Sequence, residues 1–407
     1  MLRRSIYLAG LALILMATAS APRADEVKTD LSKGGPTFQS GDNSLTIGGF
    51  AQFRYTGDSR EQFDADTAGS GVGGNDGYSQ QFAVQRIRLI LSGGMFKPWL
   101  KYEFEWEFAN TTGTNDNKVK DAAISVTKWN MATIKMGQFK TPFSLEEITS
   151  DTRLEFVDRS ITDAKYAPSR EQGFTLNGLT KDKKFGYNVG MFNGGGEAKP
   201  QDDQGLMYAG RAWWDPTGEY RLAESANDAP EKNIFHVGVA VRTGETQRGT
   251  ATAGVFENPN NETAYNLELA WRYHRLFATG EYFLMADELQ NPTVAPTVRS
   301  DGWHAQVGYM ITPKNLEVAL RYAEIDPDED IVNDKVAEER VALGYYFIGH
   351  NLKVQVDGGR VSYGSAVSDP AYPGIALRGL PIPTGTRLAG IQHYTDSQYR
   401  LQMQLRF

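Results

Sequence analysis

The side chains best suited to metal ligation or to proton transfer near neutral pH are five histidines, His236, His274, His304, His350 and His393. None stands at a metal-ligand spacing from another. There is no cysteine and no Gly-x-Ser-x-Gly elbow, so the usual routes to a nucleophile are missing. The acidic run Asp326-Pro327-Asp328-Glu329-Asp330 has the charge to hold a divalent cation, but it satisfies no ligand spacing and reads as a solvated loop. The glycine-rich stretch from Gly69 to Gly77 follows no buried strand and opens no helix, so it reads as a flexible loop rather than a phosphate cradle. No catalytic residue, metal site or cofactor is expected.

A different pattern of charge is far more regular. In Lys101-Tyr102-Glu103-Phe104-Glu105-Trp106-Glu107-Phe108, charged and aromatic residues alternate strictly. A strand sends successive side chains to opposite faces, so one face here is wholly charged and the other wholly aromatic. The alternation returns at Tyr265/Leu267/Leu269/Trp271/Tyr273 and at Val341/Leu343/Tyr345/Phe347. Helical spacing fails in these windows. Sixteen such segments are expected, the first at 45–56 and the last at 396–407, with no later apolar run long enough for a transmembrane helix.

The connections between segments alternate long and short. Long ones include 57–77, 140–171, 243–262 and 363–395, and tight ones include Trp129-Asn130, His274-Arg275 and Ile348-Gly349-His350. Only 215–232 is a long member of the short set. Long extracellular loops and short periplasmic turns are the rule in transmembrane barrels, and a soluble sandwich has no reason to keep that rhythm. The fold class is therefore all-β: a transmembrane antiparallel β-barrel of about 16 strands.

The N-terminus agrees. Arg3 and Arg4 precede an apolar run from Ile6 to Met16 and then small residues, a pattern of secretory signals. The expected organisation is a signal peptide at 1–24, a periplasmic segment at 25–44 and an outer-membrane barrel at 45–407. The alternating segment ending in Phe407 resembles the assembly signal of such barrels. Removing the three arginines of the signal leaves 39 basic residues against 50 acidic ones, a charge of −11, which argues against a nucleic-acid binder.

If the apolar face meets lipid, the other parity faces the lumen. It then carries thirteen basic residues, from Arg54, Arg86, Arg88 and Lys101 to Arg400 and Arg406, against eight acids, leaving a lumen of +5 inside an acidic protein. Rings of Arg and Lys favour anions. Loop 140–171 is the expected constriction, folded into the pore. It offers Lys140, Glu146, Glu147, Arg153 and Arg159 as facing charges. A structural or adhesive surface protein with a plugged barrel is the alternative.

Gly137-Gln138-Phe139-Lys140-Thr141-Pro142-Phe143-Ser144-Leu145-Glu146 resembles the G-x-F-x-x-P-F-x-x-E signature of the phosphate-selective porin O and P family. Thr149-Ser150 and Phe156-Val157-Asp158-Arg159 continue it, and Gln85-Arg86-Ile87-Arg88-Leu89 resembles that family's arginine-rich strand. The resemblance implies a trimeric porin in the outer-membrane lipid of a Gram-negative cell, passing small anions such as phosphate. Lys101 matches a family constriction lysine and Arg86 a wall arginine. Glu147 stands where phosphate-specific members carry lysine, and Arg242 and Arg248 are the only arginines where those members run a ladder. The implied activity is thus a general, anion-preferring porin.

Overall fold

A computed structural model describes residues 28–30, 35–64, 77–109, 118–198, 205–228, 231–246, 260–288, 297–368, 380 and 391–407. The expected signal peptide, the loop 69–76 and Arg248 lie outside these residues. Two short strands, β1 (Lys28–Asp30) and β2 (Thr37–Ser40), pair with each other, and β2 pairs with the start of the first barrel strand.

Sixteen strands follow. They are β3 (Asn43–Asp64), β4 (Gly77–Met95), β5 (Lys97–Glu107), β6 (Lys118–Val126), β7 (Thr133–Lys140), β8 (Arg170–Leu179), β9 (Phe185–Phe192) and β10 (Met207–Trp214). The second half is β11 (Ile234–Thr246), β12 (Asn260–Tyr273), β13 (Leu276–Glu288), β14 (Thr297–Thr312), β15 (Leu316–Asp326), β16 (Val336–Ile348), β17 (Leu352–Tyr363) and β18 (Ile391–Arg406). Each pairs antiparallel with its chain neighbour, and β18 pairs back onto β3. Closure leaves no open edge among the sixteen, the condition for a sheet to sit in hydrocarbon.

Parity along β12 shows how the sequence builds the wall. Tyr265, Leu267 and Leu269 are exposed on the outside, while Asn266 and Glu268 are buried inside. The outer face carries aromatic and aliphatic side chains on every side, a surface that only lipid can cover at this extent. The inner face is polar, and the apolar clusters inside it form where inserted segments meet the wall. Phe143, Tyr166, Phe283 and Ile325 make one, and Leu145, Tyr220, Phe277 and Tyr346 make another.

Three departures from the sequence reading matter. First, alternation across 78–94 is broken. Gln52 faces Arg86 and Phe53 faces Val84, so Gln85 is an extra residue in a bulge. The bulge returns Val84 and Phe82 to the lipid side beside Ile87. Second, β12 starts three residues before the expected 263, which puts Glu262 on the buried inner face, and Asp287 near the end of β13 is buried there too. Glu338, two residues before Arg340, is also buried there. These add three acids to the eight, while Arg170, buried on β8 against Asp121 and Glu105, adds one cation to the thirteen, so the excess of five shrinks. Third, 215–232 is no ordinary turn. Its Tyr220 and its run from Ala223 to Asn227 are buried inside the barrel.

Leu267 lies between Tyr265 and Trp271 near the middle of the outer band. Leu267→Arg is expected to lower stability in bilayers by about 2–4 kcal/mol, the usual cost of a cation at mid-depth. Urea unfolding of the vesicle-inserted barrel measures it, and an unchanged midpoint would mean this face does not meet lipid.

Candidate functional site

The segment 141–169, between β7 and β8, folds into the lumen. Its start is fixed by Gly137, whose φ of +131° and whose missing Cβ, which would lie 2.0 Å from the Ala122 carbonyl oxygen, admit only glycine. Phe143 is fully buried between the Phe283 ring and the Arg242 guanidinium. Ser144, at φ +66°, caps the short helix α1 (Leu145–Ile148) by accepting from the Glu147 N–H. The orphan N–H groups of Leu145 and Glu146 donate to the Glu281 carboxylate on β13 at 2.9 and 2.7 Å. At the other end of α1, Lys140 donates to the carbonyls of Glu147 and Thr149. Arg159 donates to the carbonyls of Glu146, Glu147 and Thr149.

A turn of 3₁₀ helix, Asp151–Arg153, and the helix α2 (Ile161–Tyr166) complete the loop. Barrel arginines grip its acids. Asp158 accepts from Arg54 at 2.7 and 2.9 Å, from Arg400 at 2.9 Å and from Arg86 at 3.4 Å. Asp151 lies 2.8 Å from both Arg88 and Arg159. Burial alone would raise the Asp158 carboxyl, but Arg54, Arg400 and Arg86 outweigh it and hold it far below the usual aspartate range. Burial is overridden at Asp151 in the same way, by Arg159, Arg86 and Arg88. The loop's backbone is stitched as well. Arg321 donates to the carbonyl of Asp158, Lys353 to that of Leu154, and Gln404 to that of Thr152.

From the opposite end of the barrel comes 215–232. Its Glu224 carboxylate accepts from the Glu155 N–H at 2.8 Å, and its Glu224 N–H donates to the Arg153 carbonyl at 2.9 Å. The Ala226 N–H reaches Glu317 on β15, whose carboxylate also takes the Tyr346 hydroxyl. Glu155, Glu224 and Glu317 thus gather where the two inserted segments meet, with Gln306 and Lys353 beside them. Burial first, then the neighbouring Glu317 and Glu224, pushes the Glu155 carboxyl well up. Burial and the charge of Glu146 push Glu224 up to about 7.

Two cavities flank the loop. An outer one of about 580 Å³ is lined by Arg159, Arg340 and Arg400 and by Asp58, Glu338 and Asp396, so its formal charges balance. An inner one of about 620 Å³ lies between the loop and 215–232. It is lined by six basic side chains (Lys135, Lys140, Arg153, Lys183, Arg211, Arg221) and four carboxylates (Glu103, Asp121, Asp215, Glu219).

The residues singled out from the sequence therefore separate. Arg54, Arg86 and Arg88 converge on the loop acids, and Lys140, Glu147 and Arg159 form one ion cluster. Glu146 is buried and accepts from the Ser160 N–H and hydroxyl. Arg153 is half-buried in the inner cavity, and Lys101 stands exposed near Gly94, apart from the rest. Sequence reasoning missed Asp151, Asp158 and Glu281 as anchors. The Phe156-Val157-Asp158-Arg159 motif marks Asp158, whereas nothing local marks Glu281. The unusual length of 215–232 was the signal for the second insertion.

Comparison with known proteins places this architecture. The family described as phosphate-selective porin O and P matches residues 54–368. Porin O of Pseudomonas aeruginosa is 23% identical over 305 residues, 67% of this chain and 66% of that protein. An uncharacterized protein of Aquifex aeolicus is 26% identical over 265 residues, 58% of this chain and 61% of that one. The chain thus spans a little under two thirds of the length of these relatives. Among solved structures, an anion-selective porin from Comamonas acidovorans aligns with a TM-score of 0.58 at 12% identity, covering 90% of this chain and all of that one. The trimer form of OmpT from Vibrio cholerae aligns at 0.55 and 10% identity, covering 90% and 99%. These similarities to solved structures carry the fold.

The two sets of shifted carboxyls bound a pH window for the loop. Asp158 and Asp151 are depressed, so their anchoring is present above about pH 4 and is lost only as pH falls through their lowered values. Glu155 and Glu224 are raised, so the junction they form is lost as pH rises through their values, about 7 for Glu224. Single-channel currents are expected to be quietest between these limits and noisier on either side. Glu224→Gln should remove the alkaline change, and Asp158→Asn should bring the acid behaviour to neutral pH. A flat noise spectrum from pH 3 to 9 in the unmodified protein would contradict this.

Proposed function

The chain belongs to the phosphate-selective porin O and P family, and from that premise we propose that it is an outer-membrane channel for passive diffusion of small anions. The observation that carries the anion preference is the inner cavity, where six basic side chains face four carboxylates. A solute crossing the barrel past the loop meets this basic zone after a balanced outer cavity. Charged rings of one sign raise the local concentration of the opposite ion.

The same geometry argues for general anion preference over phosphate specificity. Arg54, Arg86 and Arg400 share Asp158, and Arg88 is held by Glu105, Glu107 and Asp151. Glu147 sits between Lys140 and Arg159. These cations are largely neutralised in place. Lys135 is paired with Glu103 at 3.5 Å, so steering falls to the less committed ones, Lys101, Arg153 and Arg221. By analogy with the solved trimer form of OmpT, we assign a homotrimer. Residues 1–24 are assigned as a signal removed on export and 25–44 as a periplasmic lead into the barrel. The plugged-barrel alternative predicts no current.

Zero-current potential in a salt gradient tests the reading, with anion preference expected. A unit charge about 8 Å from the ion path in water-like dielectric contributes about 0.5 kcal/mol. Removing one by Arg153→Gln takes about 0.5 kcal/mol of attraction from the anion and the same repulsion from the cation, and should therefore lower the anion-to-cation permeability ratio about fivefold. A cation-preferring unmodified channel would overturn the proposal.

A further inference from the structure

The insertion 215–232 displays a specific pair of side chains. Its Tyr220 and its stretch from Ala223 to Asn227 are buried, whereas Arg221 and Leu222 between them are exposed and line the inner cavity. Leu222 is 38% exposed although it lies within the barrel. A large aliphatic side chain beside a cation inside a lumen offers a solute apolar contact and charge together. The opposite walls repeat the combination. Trp213 is inward and half-buried with the Arg211 guanidinium 4.7 Å from its ring centre, and Ile148 of the loop faces the same space with Arg153 nearby.

The donors suit a weakly charged anion. Arg211 is already committed to Glu268, at 2.6 Å, and Lys140 to the carbonyls of Glu147 and Thr149. Arg153 and Arg221 have no acidic partner within 4 Å among the described residues. A dianion would need several donors to replace its hydration shell, and it would meet Glu103, Asp121 and Glu219 in the same cavity. A monoanion with an apolar body needs one or two cations and gains from Leu222, Trp213 and Ile148.

We propose that the inner cavity is a selectivity site for small organic monoanions with an apolar body, aromatic carboxylates being the matching class. This rests on the porin reading above. Waters and a molecule as small as benzoate fit together in about 620 Å³.

The test is block of chloride current through the full-length channel in planar bilayers by benzoate, acetate or inorganic phosphate. Benzoate is expected to half-block at about tenfold lower concentration than acetate, from the apolar surface its ring buries, and phosphate no lower than acetate. Leu222→Asn should bring benzoate close to acetate, and Arg221→Gln should weaken both carboxylates together. Equal block by benzoate and acetate, or tighter block by phosphate, overturns the inference while the porin reading stands. Absence of any current would instead remove the porin reading itself.

Discussion

The grip of barrel arginines on the loop between β7 and β8 is the interaction on which the rest of the lumen depends. A loop carried into the middle of a barrel brings backbone carbonyls and N–H groups that must be satisfied away from bulk water. Here the wall supplies the partners. Arg54, Arg86 and Arg400 hold Asp158, Arg88 holds Asp151, Arg321 and Lys353 take loop carbonyls, and Glu281 takes the N–H groups that open α1. These contacts come from β3, β4, β13, β15, β17 and β18, so the loop is tied to strands far apart in sequence. Breaking one buried ion pair strands its partner, which makes the set mutually dependent.

That grip also decides which charges are left for a solute. A side chain that points inward is only a candidate for steering; it acts on a permeating ion if its field is not cancelled within a few ångströms. Arg88 touches three carboxylates, and Arg211 shares Glu268 with His236. Most of the lumen's guanidinium groups serve the architecture in this way. The remaining field comes from lysines and arginines on the β5–β10 side and on the second insertion. Parity therefore predicts the inventory of the wall well and the field in the channel poorly.

The fold was legible because two constraints are local. Lipid on one side and water on the other impose period two, and the long-short rhythm of the connections imposes the up-and-down order. Phe104 and Trp106 against Glu105 and Glu107 state the rule in four residues. Gln85 escaped because a bulge costs one residue in one strand and is visible only in the pairing with β3. Glu262 escaped because β12 continues beyond the apolar band, where alternation no longer carries a lipid signal. The candidate site was half legible. The motif from Gly137 to Glu146 located the loop, but Glu281, which takes the N–H groups of Leu145 and Glu146, lies more than a hundred positions away. No spacing rule links them.

The two insertions give the lumen a direction. The outer cavity balances three cations with three carboxylates, while the inner one holds the basic excess and the apolar side chains of 215–232. A site within a passive channel must attract a solute and still release it, so a dense array of unpaired cations would trap what it selects. Mixed charge keeps the attraction shallow. Apolar contact then adds discrimination by shape and size without deepening the electrostatic well, because it is short-ranged and non-directional. On this reasoning the carboxylates among the lumen cations are part of the selectivity. In the proposed channel they would let the second insertion choose among anions after the wall has admitted them.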